Sequence, residues 1–226
     1  MTSKTATQIL PLENGDRLSR IEFERRYTAM PKLKKAELIE GIVYMGSPVR
    51  AKSHGQPHAA IMAMLSVYWV ATPGVSLLDN VTVRLDLDNE PQPDALLRIE
   101  SGGRSIVSDD DYVEGSPELI VEIAASSAAY DLYDKKQVYR RNGVQEYVVW
   151  QVFENKLDWF SLQAGEYVPL QSDENGVVKS LVFPGLWLAV PLLLAGEMVN
   201  AIAVLQSGLN SPEHAQFIEL LSKRLS

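Results

Sequence analysis

Three residues of this chain have the types and settings to do chemistry together: Asp94, Glu122 and Lys135. Asp94 follows Pro93 and leads into the mostly apolar run Ala95–Ile99. Glu122 is the only charge in the strand-like run Leu119–Ala124. Lys135 belongs to a helix-like stretch that carries Tyr139 and ends at Gly143. Two carboxylates in an apolar setting repel each other, and each loses hydration. A hard divalent cation relieves both costs. Mg²⁺ or Mn²⁺ takes oxygen ligands and retains several waters, so these two acids suffice, with the backbone carbonyl of Ile123 as a further ligand. Such an ion lowers the pKa of a bound water and stabilises charge on a phosphate. Lys135 would then hold the attacking water or the phosphorane's negative charge. The set implies metal-dependent hydrolysis of a phosphodiester.

Each residue also has a plainer reading. Asp94 after a proline can simply open a strand or make a turn. Glu122 is harder to explain that way, because charged side chains are almost never fully buried without a partner. Lys135 has Asp131 at i−4, which describes a solvated helix pair, and Lys136 beside it is the fallback for its role. Glu37, in a hairpin, either approaches the metal or supports an edge strand. His58 begins an apolar helix stripe and reads better as a core or capping histidine than as a catalytic one. His54 and His58 stand at i, i+4, as zinc-binding helices require, but Pro57 interrupts the pair and no third ligand is evident. Tyr139 either reaches the site or packs its helix on the sheet. Asp109-Asp110-Asp111 lacks the Gly and Glu of a calcium loop and reads as solvated.

The elements that must position these groups are legible in outline. Ser19 with Glu22 fits a capping box, and Leu18 with Phe23 the accompanying hydrophobic staple, so a helix begins there and stops before Pro31. Residues 37–45 read as two short strands turning at Glu40-Gly41. His58, Ile61, Met62, Leu65 and Trp69 recur at helical steps from 57 to 71, and Pro73-Gly74 ends that helix. Strands are expected at 75–78, 81–85, 95–99 and 119–124, the last apolar on both faces and therefore central. A polar loop spans 100–115. A helix over 131–142 then links 119–124 to a strand at 147–153, long enough for a parallel crossover. A hairpin partner at 157–162, short strands near 167 and 181, and helices at 192–205 and 212–225 complete the order. The fold class is α/β, an α+β mixed sheet flanked by helices. Residues 1–16 carry no periodic pattern and are expected to form a flexible N-terminal segment, with the main domain over 17–195 and a C-terminal helical extension over 196–226.

Composition sets limits. The chain has 226 residues, 46% of them hydrophobic, enough for a sizeable core. It contains no cysteine, which excludes disulfides and thiolate metal sites. The first ten residues lack a signal peptide's apolar core, so a cytoplasmic location is expected. The longest uncharged run, 180–196, is broken by Pro184 and Pro191 and is shorter than the roughly 20 residues of a membrane span. The formal charge of −8 runs against nucleic-acid binding, which usually draws on a basic surface. Only short basic groups occur: Arg25-Arg26, Lys32/Lys34/Lys35 and Arg140-Arg141.

Several of these segments fall in a recognisable order. Glu37-Leu38-Ile39-Glu40-Gly41, His58, Pro93-Asp94, Glu118-Leu119-Ile120-Val121-Glu122-Ile123, then Asp131, Lys135, Tyr139 and Gly143-Val144-Gln145-Glu146-Tyr147, and finally Phe183-Pro184-Gly185-Leu186, span about residues 20 to 190. The pattern resembles the restriction-endonuclease-like family within the PD-(D/E)XK nuclease superfamily. The resemblance implies a restriction-endonuclease-like core, a Mg²⁺- or Mn²⁺-dependent endonuclease acting on DNA, and often a homodimer. It places Asp94 and Glu122 at the metal-ligand positions. The superfamily's lysine two residues after the glutamate is replaced by Ala124; in this family the following helix supplies it, here Lys135. The stretch 125–130 also departs from the family and is one residue shorter. Those two departures and the acidic charge support a rival expectation, a nuclease-fold binding module with weak or no catalysis.

Overall fold

The computed structural model describes residues 9–46, 48–125 and 131–225. Its centre is a six-stranded mixed sheet in the order β11-β10-β9-β8-β5-β3. These strands are β3 (Val75–Asp79), β5 (Ala95–Ile99), β8 (Leu119–Ala124), β9 (Glu146–Gln151), β10 (Lys156–Gln163) and β11 (Glu166–Pro169). β8 pairs parallel with β9; every other pairing in this sheet is antiparallel. A parallel pair needs a long connection, and the one here ends in a π-helical turn (Asp131–Lys135) running into helix α3 (Lys136–Arg141).

The pleat sorts the side chains of β8 between two cores. Leu119, Val121 and Ile123 join the larger one, covered by α2 (Gln56–Val70) through Ile61, Met64, Leu65 and Tyr68. Helices α5 (Met198–Leu209) and α6 (Pro212–Leu225) add Ala201, Leu205, Phe217 and Leu221 to the same core, and α4 (Val190–Ala195) adds Leu193. On the other face Ile120 and Ala124 pack with Leu96, Tyr139, Val144, Tyr147 and Val149. Glu122 lies between Ile120 and Ala124 and so shares this second face.

A hairpin, β1 (Ala36–Ile39) and β2 (Ile42–Met45), turns at Glu40-Gly41 and packs on α1 (Arg20–Thr28) through Phe23 and Leu38. Both turn residues have positive φ, 53° and 70°, which suits the glycine. Leu12 is buried against this cluster, and the Gly15 N–H bonds the Val43 carbonyl at 2.8 Å, so the chain is tied down from Leu12 onward. Among the described residues no helix is long and apolar enough to cross a membrane.

Some expectations need correction. The capping box at Ser19 does not form, because Glu22 turns to Arg25 and Arg26 at 2.7 Å, and charge-assisted bonds outweigh a reach back to a backbone N–H. The buried stripe of α2 is Ile61, Met64, Leu65 and Tyr68; Trp69, one step round the helix, is 44% exposed. The strand expected at 81–85 shrinks to β4 (Val83–Arg84), which joins β6 (Ser105–Val107) and β7 (Val113–Gly115) in a separate sheet formed within the supposed loop 100–115. No strand covers Leu181; β12 (Val177–Lys179) and β13 (Trp187–Ala189) flank it. Gly196, with φ of 76°, separates α4 from α5 where one helix was expected.

Candidate active site

Lys135 ends the π turn and is 2% exposed. Its Nζ lies 2.9 Å from Glu122 Oε1 on β8 and 2.8 Å from Glu37 Oε1 on β1. Tyr139, one helical turn on, donates its hydroxyl to the same Glu122 Oε1 at 2.7 Å. Residues four apart share a helix face, so α3 delivers ammonium and phenol to one carboxylate oxygen. Glu37 also accepts the Gln92 N–H at 2.7 Å. Burial pushes the Glu37 carboxyl up, but Lys135, Lys35 and the Gln92 N–H outweigh it and hold the group below its ordinary range. Tyr139 is driven well above the ordinary phenol value, first by burial and then by the neighbouring Glu122. The expected solvated position of Lys135 is therefore corrected: two buried acids balance its charge.

Asp94 reaches the same neighbourhood from β5. The β5–β8 ladder pairs Ala95 with Val121, so one step further position 94 faces position 122 across the strands. β5 ends there, and the Asp94 side chain takes over as acceptor: its Oδ2 receives the Ile123 N–H at 2.7 Å. Asp94 is 3% exposed. Its Oδ1 lies 3.4 Å from His54 Nε2. His58 Nε2 lies 3.1 Å from the Asp94 carbonyl and 3.0 Å from Asp79 Oδ1, so His58 supports the backbone at Asp94. Ile123 contributes here through its N–H.

The sequence-derived residues thus divide. Glu122, Lys135, Tyr139 and Glu37 meet directly, and Asp94 is joined to the peptide that follows Glu122. Lys136 stands apart, with its Nζ 3.4 Å from the centre of the Phe160 ring, where burial lowers its pKa. Residues 126–130 of the shortened segment lie outside the described residues.

The donor set suits a divalent cation. Glu37, Glu122 and Asp94 formally carry three negative charges against one on Lys135, a surplus of two. Among the described residues no three His, Asp or Glu side chains already form a ligand cage. Mg²⁺ does not need one, since one or two carboxylates with retained water satisfy it.

Sequence reasoning gave no role to four buried groups. Glu118 accepts the Ile99 and Arg104 N–H groups, each at 2.8 Å, and Glu146 pins the loop at Ser180–Val182. Glu90, 1% exposed, meets Glu24 beside Arg84 and Arg20; burial and then the Glu24 carboxyl push it up to about 8. His54 was set aside with zinc. The signal available for Glu118 and Glu146 was their place in the quoted motif runs.

Comparison with known proteins agrees with this architecture. A crystal structure described as a putative nuclease belonging to DUF820, from Anabaena variabilis, superposes with a TM-score of 0.55. The match covers 80% of this chain and 97% of that one at 13% identity, a likeness of fold. No curated protein matches the chain significantly. The sequence profile of the Uma2 family, described as "Putative restriction endonuclease", matches residues 21–191. With most of its length matched, and with a mixed sheet flanked by helices as in that nuclease fold, the chain belongs to the Uma2 family of restriction-endonuclease-type proteins.

Proposed function

We propose that the protein is a metal-dependent endonuclease that hydrolyses DNA phosphodiester bonds. The observation that carries this reading is the contact of Lys135 with Glu122 at 2.9 Å, next to an Asp94 side chain hydrogen-bonded to Ile123. A lysine, a glutamate and an aspartate gathered from three elements are the parts that phosphodiester hydrolysis requires. Asp94 and Glu122 would hold Mg²⁺ or Mn²⁺, with the Ile123 carbonyl as a further oxygen. When bound, the ion supplies an acidified water and neutralises charge on the phosphate.

The protein's own residues do the rest. Glu37 and Glu122 fix the Lys135 ammonium, which orients the attacking water and stabilises negative charge on the phosphate. Tyr139 restrains the Glu122 carboxylate. Lys32, Lys34 and Arg50, all exposed on the two loops flanking the hairpin, offer phosphate contacts despite the net charge. Exposed Leu181, Val199 and Leu220 provide apolar surface for a homodimer able to address both strands.

Plasmid DNA incubated with Mg²⁺ or Mn²⁺ tests the reading. Nicking or linearisation is expected from the native protein, and loss of it from Glu122→Ala and Lys135→Ala. Cleavage that survives both substitutions, or that persists in EDTA, refutes the assignment. DNA binding with no cleavage at any metal concentration would instead favour the binding-module reading, which the formal charge of −8 and Ala124 motivate. Sedimentation at micromolar concentration tests the dimer, and a monomer there removes it.

A further inference from the structure

We propose that His54 is a nitrogen ligand of the cation held at Asp94 and Glu122, making the site selective for Mn²⁺ over Mg²⁺; this rests on the metal-dependent reading above. His54 belongs to a five-residue π-helical turn, Ala51–Gly55, that precedes α2. The N–H groups of His54 and Gly55 both bond the Arg50 carbonyl, at 3.1 and 3.0 Å. Single π turns recur at functional sites because the extra residue redirects a side chain. Here the redirected group is an imidazole whose Nε2 lies 3.4 Å from Asp94 Oδ1.

That distance is long for an N–H···O bond, which clusters near 2.9–3.0 Å. It matches two neighbouring ligands on one ion, which stand about 3.0–3.4 Å apart when metal–ligand bonds are about 2.1–2.2 Å. The remaining Asp94 oxygen is the one engaged by the Ile123 N–H. The imidazole is also held in place. His58 stacks on it at 5.7 Å between ring centres with 14° between planes, while His58 Nε2 is itself occupied by the Asp94 carbonyl and Asp79. The His54 side chain is 22% exposed and that of Asp94 is 5% exposed, so His54 stands at the solvent side of the pair. Mg²⁺ prefers an all-oxygen shell, whereas imidazole suits Mn²⁺ and the later divalent ions.

Calorimetric titration with Mn²⁺ and with Mg²⁺, and pulsed electron paramagnetic resonance of the Mn²⁺-loaded full chain, test this without any cleavage assay. The native protein should bind Mn²⁺ at least tenfold more tightly than Mg²⁺ and show ¹⁴N modulation from a directly bound imidazole. His54→Ala should weaken Mn²⁺ ten- to a hundredfold, leave Mg²⁺ within about threefold and abolish the ¹⁴N signal. His54→Asn, which keeps an N–H donor near Asp94, should behave like His54→Ala if the role is ligation. The proposal is overturned if the native protein lacks the ¹⁴N signal, or if His54→Ala weakens both ions equally. Asp94→Asn separates the two levels. Mn²⁺ binding that survives it removes the metal site and this inference together. Binding lost in Asp94→Asn but unchanged in His54→Ala removes the histidine alone.

Discussion

Glu122 on β8 and Glu146 on the neighbouring parallel strand β9 are both buried glutamates, 3% and 0% exposed. Their partners differ in kind. Glu146 accepts from Trp159 Nε1 at 3.1 Å, Ser180 Oγ at 2.7 Å, and the N–H groups of Leu181 and Val182 at 2.7 and 3.1 Å. Every donor is neutral, and three of them belong to one loop. Burial raises the Glu146 carboxyl, and the four bonds only partly oppose that. Glu122 instead receives an ammonium and a phenol from α3 and its preceding turn, with a second acid sharing the ammonium. Burial alone therefore does not mark a reactive carboxylate. A buried acid held by neutral backbone donors is a structural pin; one held by mobile charge from several elements has chemistry available.

The largest expected effect breaks the comparison at its reactive end. Lys135→Ala or Glu122→Ala should cut DNA cleavage on the order of 10²–10³-fold or more, while Glu146→Ala leaves the rate per folded molecule within about twofold. Lys135→Ala should also destabilise by about 3–5 kcal/mol in chemical denaturation, since two buried acids lose their counter-charge. Equal rate losses at positions 122 and 146 would erase the distinction.

At the structural end, Glu146→Ala should cost about 2–4 kcal/mol, because two loop N–H groups lose their acceptor, and Glu146→Gln should recover more than half of it. Urea melts at neutral pH measure both. Glu90 sharpens the contrast with a third buried acid. Its carboxyl rises from 4.5 to about 8, so the fold favours the protonated form. Its contribution to stability is complete below pH 4.5 and is lost as pH rises through about 8. Melting points should fall across that window by the equivalent of about 2–4 kcal/mol, and Glu90→Gln should flatten the slope. An unchanged slope would show that Glu90 is ionised in the fold.

The smallest effect separates the adjacent lysines. Lys136→Ala removes a cation–π contact with Phe160 and should cost about 1 kcal/mol or less, with cleavage unaltered. A rate loss matching that of Lys135→Ala would reverse their assignment.

The sequence by itself determined the parts. The apolar run at 119–124 with its lone acid, the Glu40-Gly41 turn, the α2 periodicity and the crossover between parallel strands all express patterns within a few residues, where backbone geometry and side-chain period act directly. Tertiary structure decided the meetings. Nothing local distinguishes Lys135 from Lys136, yet about 100° of helix rotation sends one to Glu122 and the other to an aromatic ring. Glu37 becomes the lysine's second partner only because the hairpin docks beside α3, and Asp94 bonds the Ile123 N–H only because β5 and β8 are neighbours and β5 stops one residue short. Contacts between residues distant along the chain depend on sheet order and helix docking, which the whole core sets and no single segment encodes.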